Sequence, residues 1–190
     1  MTKPLYALSV QELHAAYAAK ELSPVDVVRS VNERIAACEP ELHATWLFRP
    51  ELALEQARAS EARWLAGSPR GALDGVPVTI KDNLATEGDP MPLGTAAYDL
   101  VPMAQDSPPA ARLKQDGTVL VAKTTMPDYG MLSSGLSSFH ELSRNPWDLS
   151  RTPGGSSAGA GAAAAAGYGP LHVGTDIGGS LRLPASWCGI

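Results

Sequence analysis

The sequence contains little cysteine and little histidine. Its two cysteines, Cys38 and Cys188, lie too far apart to form a C-x-x-C pair. This excludes a dense disulfide framework and favours free thiols in a reducing compartment. Only four histidines are present, and their positions offer no obvious partner for a nucleophile. Any catalytic chemistry must therefore be sought among other residue types.

An excess of positive charge and long apolar runs are also missing. The formal net charge is -5, and the 15 basic residues are scattered along the chain, which argues against direct binding to nucleic acid. No apolar stretch of about 18 residues occurs, and the amino terminus lacks a long apolar segment. We therefore expect a cytoplasmic protein with no membrane partner.

The first part of the chain, residues 1–67, is predicted to be helical. A capping box over Ser9–Glu12 starts one helix, and Ser23 followed by proline at the first helical position starts a second. A third helix is predicted over Glu51–Ala66, closed by a Gly-Ser-Pro turn. We expect these helices to support the fold and to contribute no residue to a functional site.

The second part, residues 68–190, shows strands alternating with helices. We predict a strand over Val76–Lys81, a helix over Pro108–Gln115 and a strand over Thr118–Lys123, with a long ordered loop over 84–107. Together they indicate βαβ units in a mixed sheet. The alanine-rich stretch that follows predicts a buried helix whose small side chains allow close approach. The composition, 44% hydrophobic and 18% charged, is that of an ordinary globular α/β domain.

Two serines in glycine-rich segments and one lysine suggest acyl-transfer chemistry. A serine hydroxyl is a weak nucleophile unless a base removes its proton, and lysine is a base only when it is uncharged. Lys81 ends an apolar strand that would carry its side chain into the interior, where burial disfavours the ammonium form. Ser156 can accept a proton from Ser180 while passing its own to Lys81.

The turn before Ser180 can supply the donors that acyl transfer needs. Glycine tolerates positive φ, so the segment from Ile177 to Ser180 can aim successive backbone N–H groups at one small volume. Each donor aimed at a developing oxyanion is typically worth roughly 3 to 4 kcal/mol. Ser180 also precedes a predicted helix start, where the helix dipole favours negative charge.

Four segments in register resemble the amidase signature family. They are VTIKDN at 78–83, RNPWD at 144–148, TPGGSSAG at 152–159 and GTDIGGSLRLPA at 174–185. The resemblance runs from about residue 5 to the last residue. It implies an α/β fold of the amidase-signature type, in which helices flank a mixed β-sheet core.

The resemblance also implies a role for each site residue. Ser180 would be the nucleophile, Ser156 the bridging serine after a cis peptide bond, and Lys81 the general base. The oxyanion donors would be the N–H groups of Ile177, Gly178 and Gly179. Three residues are expected to support the site: Ser157, Asp176 and Arg182. The last two would buttress the nucleophile loop through hydrogen bonds and an ion pair. The expected substrate is a small-molecule amide, and no metal or organic cofactor is required.

Family members are considerably longer than this chain. We therefore expect residues 1–190 to be the amino-terminal portion of one amidase-signature domain, whose last elements expose apolar faces unless another polypeptide covers them. Trp147 and Trp187 are expected to anchor the core. The covering partner would be the remaining carboxy-terminal portion of the domain or a second copy of the chain.

Several alternative functions remain open at this point. The stretch Gly155–Gly159 fits the G-x-S-x-G nucleophile elbow, with Ser157 as nucleophile, but only His172 follows it as a candidate base. A phosphate-binding loop is disfavoured because no lysine precedes Ser180. A noncatalytic fragment, and the glutaminase-type subunit of an amidotransferase, are further candidates. We favour a stand-alone amidase that hydrolyses C–N bonds through a serine acyl-enzyme.

Overall fold

The computed structural model describes residues 3–190 as a mixed α/β arrangement. In chain order its regular elements are α1 (Val10–Ala18), α2 (Pro24–Leu42), β1 (Thr45–Phe48), α3 (Pro50–Leu65), β2 (Pro77–Lys81), α4 (Pro108–Asp116), β3 (Val119–Thr124), α5 (Ala158–Ala166), β4 (Leu171–Val173) and α6 (Arg182–Cys188). Single 3-10 turns occur at Leu5–Ala7 and Asp128–Gly130.

The four strands form one sheet in the order β1-β3-β2-β4. Strand β2 runs parallel to both β3 and β4, whereas β1 runs antiparallel to β3. Helix α4 lies between β2 and β3 in sequence, which makes the predicted βαβ unit. The long connection over 84–107 contains no helix or strand, only an isolated bridge between Pro90 and Pro102. The predicted mixed α/β fold is confirmed.

The helix starts follow the predicted signals. The Ser9 side chain accepts from the Glu12 backbone N–H while the Glu12 side chain accepts from the Ser9 N–H, a complete capping box. Ser23 caps α2 by accepting from the Val25 N–H. Strands β1 and β4 were not predicted. Strand β1 lies inside the segment for which only helices were expected, and with three or four residues both strands are too short for a clear alternation.

Helix α5 lies in the core, and its small residues make this possible. It contacts β2, β3, β4 and α6, and seven of its nine residues are buried. A Cβ added at Gly159 would lie 2.1 Å from the Ala44 carbonyl oxygen and 2.5 Å from the Thr125 amide nitrogen. Only glycine fits there, so the prediction of close approach is confirmed.

Large apolar side chains in and near the last motif are exposed. Trp147 is 74% exposed, Trp187 45% and Ile177 fully exposed. The expectation that both tryptophans anchor the core was wrong, since Trp147 is mostly exposed and Trp187 is nearly half exposed. Trp147 instead donates from Nε1 to the Cys188 carbonyl at 2.7 Å. In the described part of the chain, no helix is long and apolar enough to cross a membrane.

Candidate active site

Lys81 lies at the carboxyl end of β2 and is completely buried. Strand β2 is buried along its whole length, and Lys81 is its last residue. The Lys81 Nζ lies 2.9 Å from Ser156 Oγ, 3.0 Å from Ser157 Oγ and 2.9 Å from Thr175 Oγ1. One lysine nitrogen thus joins three hydroxyl groups from two other segments.

The surroundings of Lys81 favour its neutral form. Burial lowers the pKa of Lys81 to about 8, and the negative charges of Asp82 and Asp176 oppose that shift without cancelling it. All three hydrogen-bond partners of the Nζ are uncharged hydroxyls. A substantial fraction of Lys81 is therefore deprotonated at mildly alkaline pH, as a lysine general base requires.

The two serines beside Lys81 follow a cis Gly155–Ser156 peptide bond and differ in their hydrogen bonds. Ser157 Oγ donates to the Thr175 carbonyl at 3.1 Å and accepts from the Thr175 N–H at 3.3 Å, so its proton is already engaged. Among the residues described, Ser156 Oγ forms a hydrogen bond with Lys81 alone, and its own proton is uncommitted. These hydrogen bonds suit Ser156 for proton transfer and Ser157 for support.

Ser180 lies in the loop between β4 and α6 and is half-buried. Its carbonyl accepts from the Ser157 N–H at 3.0 Å, and this bond joins the two glycine-rich segments. Within residues 3–190 the Ser180 hydroxyl makes no hydrogen bond, and none links it to Ser156 or Lys81. The structure therefore brings the two motifs together but leaves the Ser180 hydroxyl free.

The expected oxyanion donors differ in their availability. Ile177 and Gly178 are exposed, and their N–H groups have no acceptor in the part of the chain that the structure describes. The Gly179 N–H instead donates to Asp176 Oδ1 at 2.7 Å. A carboxylate oxygen thus already accepts from the Gly179 N–H, and the role of Gly179 as an oxyanion donor stays a prediction. Its φ of +111° still requires glycine at this turn.

Asp176 and Arg182 clamp the loop that carries Ser180. Arg182 Nε donates to Asp176 Oδ2 at 3.1 Å, and an Arg182 terminal nitrogen donates to Oδ1 at 2.9 Å, a bidentate pair. Asp176 also accepts from the Leu181 and Arg182 N–H groups. The Arg182 hydrogen bonds and these backbone donors hold the pKa of Asp176 well below its usual range. The ion pair expected between these two residues is present.

Two further residues contact Lys81 or its partners and were not selected from the sequence. Thr175 accepts from Lys81 and, at 3.1 Å, from Asn83 Nδ2. Both lie within the quoted motifs, at positions adjacent or nearly adjacent to selected residues. Their position in the family motifs could have pointed to them, but an uncharged threonine or asparagine is neither a typical nucleophile nor a typical base.

The histidine that follows the glycine-rich serines, His172, is half-buried, and both of its ring nitrogens are hydrogen-bonded. Its Nδ1 lies 2.8 Å from Thr79 Oγ1 and its Nε2 lies 2.9 Å from the Gly169 carbonyl. Burial lowers the pKa of His172 to about 4. His172 makes no hydrogen bond to Ser157, so the esterase alternative has no base. Within residues 3–190 no group of three or more His, Cys, Asp or Glu side chains could hold a metal ion.

Comparison with known proteins gives a family for this arrangement. The model of the Amidase family matches residues 26–190. Among curated proteins, the A subunit of the Glutamyl-tRNA(Gln) amidotransferase of Nostoc punctiforme is 41% identical over 182 residues. That match covers 96% of this chain but 37% of the relative. The chain thus spans well under half the length of the relatives it matches.

Solved structures agree in fold and in family. A bacterial aryl acylamidase of the amidase signature family superimposes with a TM-score of 0.86 at 33% identity, over 96% of this chain and 38% of the other. The peptide amidase of Stenotrophomonas maltophilia gives a TM-score of 0.86 at 30% identity, over 93% and 38%. Both likenesses extend over nearly the whole chain.

Proposed function

Because this chain belongs to the Amidase family, we propose that it carries the acyl-transfer site of an enzyme that hydrolyses amide C–N bonds. The observation that carries the proposal is the buried Lys81 with a lowered pKa, whose Nζ contacts Ser156 and Ser157. A buried lysine surrounded by hydroxyls, next to a free serine on a glycine turn, suits proton transfer during acyl transfer.

In the first half of the reaction, the Ser180 hydroxyl oxygen attacks the amide carbonyl carbon. The Ser180 proton passes to Ser156 Oγ as Ser156 gives its own proton to neutral Lys81. The carbonyl oxygen becomes negative and is stabilised by the free N–H groups of Ile177 and Gly178. The Gly179 N–H can donate to the carbonyl oxygen only after its hydrogen bond to Asp176 breaks.

In the second half, the protonated Lys81 returns its proton through Ser156 to the amide nitrogen. The C–N bond breaks, the amine leaves, and the acyl group remains as an ester on Ser180. Water then attacks the carbonyl carbon of that ester and gives its proton through Ser156 to Lys81. The bond between the acyl carbon and the Ser180 oxygen breaks, the carboxylic acid leaves, and the proton returns from Lys81 through Ser156 to restore the Ser180 hydroxyl. Ser157, Asp176 and Arg182 keep the two loops in place during both halves.

The substrate and the partners belong to the same proposal. A small-molecule amide fits the family, and the exposed face around Trp147 and Ile177 is where we place a covering polypeptide. That polypeptide would be the remaining carboxy-terminal portion of the domain or a second copy of the chain. The cytoplasmic location expected from the sequence stays a prediction.

A second candidate function is favoured by the curated relatives. Several of them are A subunits of Glutamyl-tRNA(Gln) amidotransferases, which supports a glutaminase-type subunit that works with partner chains. Both candidates use the same acyl-enzyme and differ in the substrate. Release of ammonia from glutamine, but not from simple aryl or alkyl amides, would favour the glutaminase-type subunit; the reverse would favour a stand-alone amidase.

A fluorophosphonate probe tests the site itself. We expect the chain to be labelled on Ser180, with labelling abolished in Ser180→Ala and reduced by orders of magnitude in Lys81→Ala and nearly as much in Ser156→Ala. The Ser68→Ala variant, at an exposed position in the turn after α3, is the matched control and should label normally. A chain with a folded spectrum that takes up no probe would instead support a noncatalytic fragment.

A further inference from the structure

A second buried polar group lies directly behind Lys81. Asp82 follows Lys81 in the chain and is completely buried. Its Oδ2 lies 3.0 Å from His140 Nε2 and accepts from the Gly94 N–H at 2.7 Å. Both side chains of this pair are at most 1% exposed. The mechanism proposed above uses neither residue, although a buried carboxylate is costly unless it is compensated.

The ring of His140 is held in an apolar cage. Its centroid lies 5.5 Å from that of Trp46 and 5.0 Å from that of Phe139. Asp82 Oδ1 and His140 Nδ1 are both buried without a protein partner among residues 3–190. The hydrogen bond between Asp82 and His140 is therefore the main polar contact that fixes this ring.

From Asp82 a chain of contacts leads to the segment 127–138, here called the covering segment. Gly94, bound to Asp82, accepts from Ser137 Oγ through its carbonyl at 2.5 Å. The preceding residue, Leu93, accepts from the Tyr129 N–H at 2.8 Å. Ser137 Oγ also accepts from the His140 N–H at 2.8 Å. Both ends of the covering segment are thus bonded to the carbonyls of Leu93 and Gly94, and Asp82 binds this stretch through the Gly94 N–H. The end at Ser137 is also bonded to the backbone of His140, whose side chain binds Asp82.

The covering segment lies against the bridging serine. A Cβ added at Gly130 would be 3.2 Å from Ser156 Oγ, and one added at Gly155 would be 2.5 Å from the Ser134 carbonyl oxygen. A displacement of this segment would consequently move the backbone that packs on Ser156. The position of the covering segment depends on hydrogen bonds to Leu93 and Gly94, and Gly94 is bound by Asp82, the residue after Lys81.

We propose that Asp82 and His140 are positioning residues of the acyl-transfer site, which hold the covering segment against Ser156 and fix one buried negative charge beside Lys81. The catalytic consequence rests on the proposed function. The charges that act on Lys81 are Asp82, adjacent in the chain, and Asp176 in the loop after β4; both raise its pKa against the effect of burial. Lys123 on β3 also interacts with the Asp82 charge.

The effect of the Asp82 charge on Lys81 is tested by an NMR pH titration of protein labelled with ¹³C at the lysine Cε atoms. The Lys81→Met variant identifies the Lys81 signal. We expect Asp82→Asn to lower the titration midpoint of Lys81 by at least about half a pH unit, because an opposite charge within a few ångströms favours the ammonium form. Asp89→Asn is the matched control. Asp89 is also buried, but it is not among the charges acting on Lys81, and its removal should leave the midpoint unchanged. Equal shifts in both variants would overturn the assignment.

The positioning half is tested by hydrogen exchange. His140→Phe keeps the apolar cage and loses the bond to Asp82, so amide exchange in the covering segment should rise about tenfold or more, with helix α2 unaffected. His140→Gln, whose amide can donate to Asp82, should restore most of the protection. A uniform rise over the whole chain, or no change at residues 127–138, would contradict the proposal. If Asp82→Asn does not fold, His140→Phe carries the test, since it keeps the Asp82 charge.

Neither readout requires turnover. A wild-type chain without labelling of Ser180 would count against the proposed function alone. Normal labelling with an unchanged Lys81 midpoint in Asp82→Asn and unchanged exchange in His140→Phe would count against the positioning role alone.

Discussion

Lys81 is the residue on which the proposed chemistry depends, and its environment is unusual for a lysine. A strand buried along its length leads into it, and three hydroxyl oxygens contact its nitrogen. Burial has the largest effect on its pKa, which falls to about 8. The lysine is thereby tuned by its surroundings to lose a proton near physiological pH.

The pH dependence of Ser180 labelling follows from this pKa. Only neutral Lys81 accepts a proton, and its neutral fraction grows as the pH rises toward about 8. Labelling should therefore rise roughly tenfold per pH unit well below that value and level off above it. A stopped-time labelling series from pH 5.5 to 9.5, with Lys81→Met as control, measures it. A flat profile in the wild type would rule out Lys81 as the base.

At this scale the sequence identified some residues and missed others for a physical reason. Lys81, Ser156 and Ser180 were selected because nucleophilic chemistry requires those residue types and a family motif contains them. His140 belongs to none of the family motifs, yet it is 6% exposed and bound to Asp82. Such a contact joins residues far apart in the chain, and no local pattern encodes it.

Helix α5 is the element that seats the bridging serine. It begins at Ala158, directly after Ser157, and its small residues let it lie between the sheet and α6. The alanine-rich sequence predicted this helix because small side chains are suited to close approach. Strands β1 and β4 were missed because pairing with β3 and β2 defines them, and pairing partners are not visible in a short run.

Gly159 tests the importance of that close approach. Gly159→Ala would place a Cβ 2.1 Å from the Ala44 carbonyl oxygen, so the helix must shift. We expect a loss of about 2 kcal/mol or more of unfolding free energy, measured by urea denaturation. Ala165→Ser, at a half-buried position of the same helix, should change it by less than about 0.5 kcal/mol. A neutral Gly159→Ala would show that α5 is less tightly seated than described.

In the whole molecule, one buried ion pair joins the amino-terminal helices to the start of the sheet. Arg63 on α3 donates to Asp74 through Nε at 2.8 Å and a terminal nitrogen at 2.5 Å. The Asp74 side chain is fully buried. Burial alone would raise the pKa of Asp74, but the hydrogen bonds from Arg63 and the Arg70 N–H outweigh it and lower the pKa.

Loss of this pair should destabilise the molecule in a pH-dependent way. Asp74→Asn leaves Arg63 partly buried without its charge partner, and we expect a cost of about 3 kcal/mol at pH 7 in thermal or urea unfolding. Folding lowers the pKa of the Asp74 carboxyl, so its ionised form stabilises the folded state at any pH above the pKa of the unfolded chain. That stabilisation is lost as the pH falls through the lower pKa of the folded state. Asp26→Asn, in an exposed pair with Arg29, is the control and should cost under about 1 kcal/mol. Equal costs would contradict the structural role of Asp74.

At this scale the sequence predicted the mixed sheet and the exposure of an apolar face, but not which side chains form that face. Trp147 and Trp187 looked like core residues by type. Trp147 is nevertheless mostly exposed and Trp187 nearly half exposed, because burial depends on which elements pack against a ring and not on the residue type. A side chain's burial is a property of the assembled molecule.

Transfer of an acyl group to Ser180 is the central claim, and direct detection of the acyl-enzyme tests it most sharply. The chain would be mixed with an activated aryl amide, quenched in acid, and mapped by peptide mass spectrometry. The account predicts that the mass of the acyl group appears on Ser180, is absent in Ser180→Ala and is strongly reduced in Lys81→Met. An acyl group found on Ser157, or undiminished acylation of Ser180 in Lys81→Met, would contradict it.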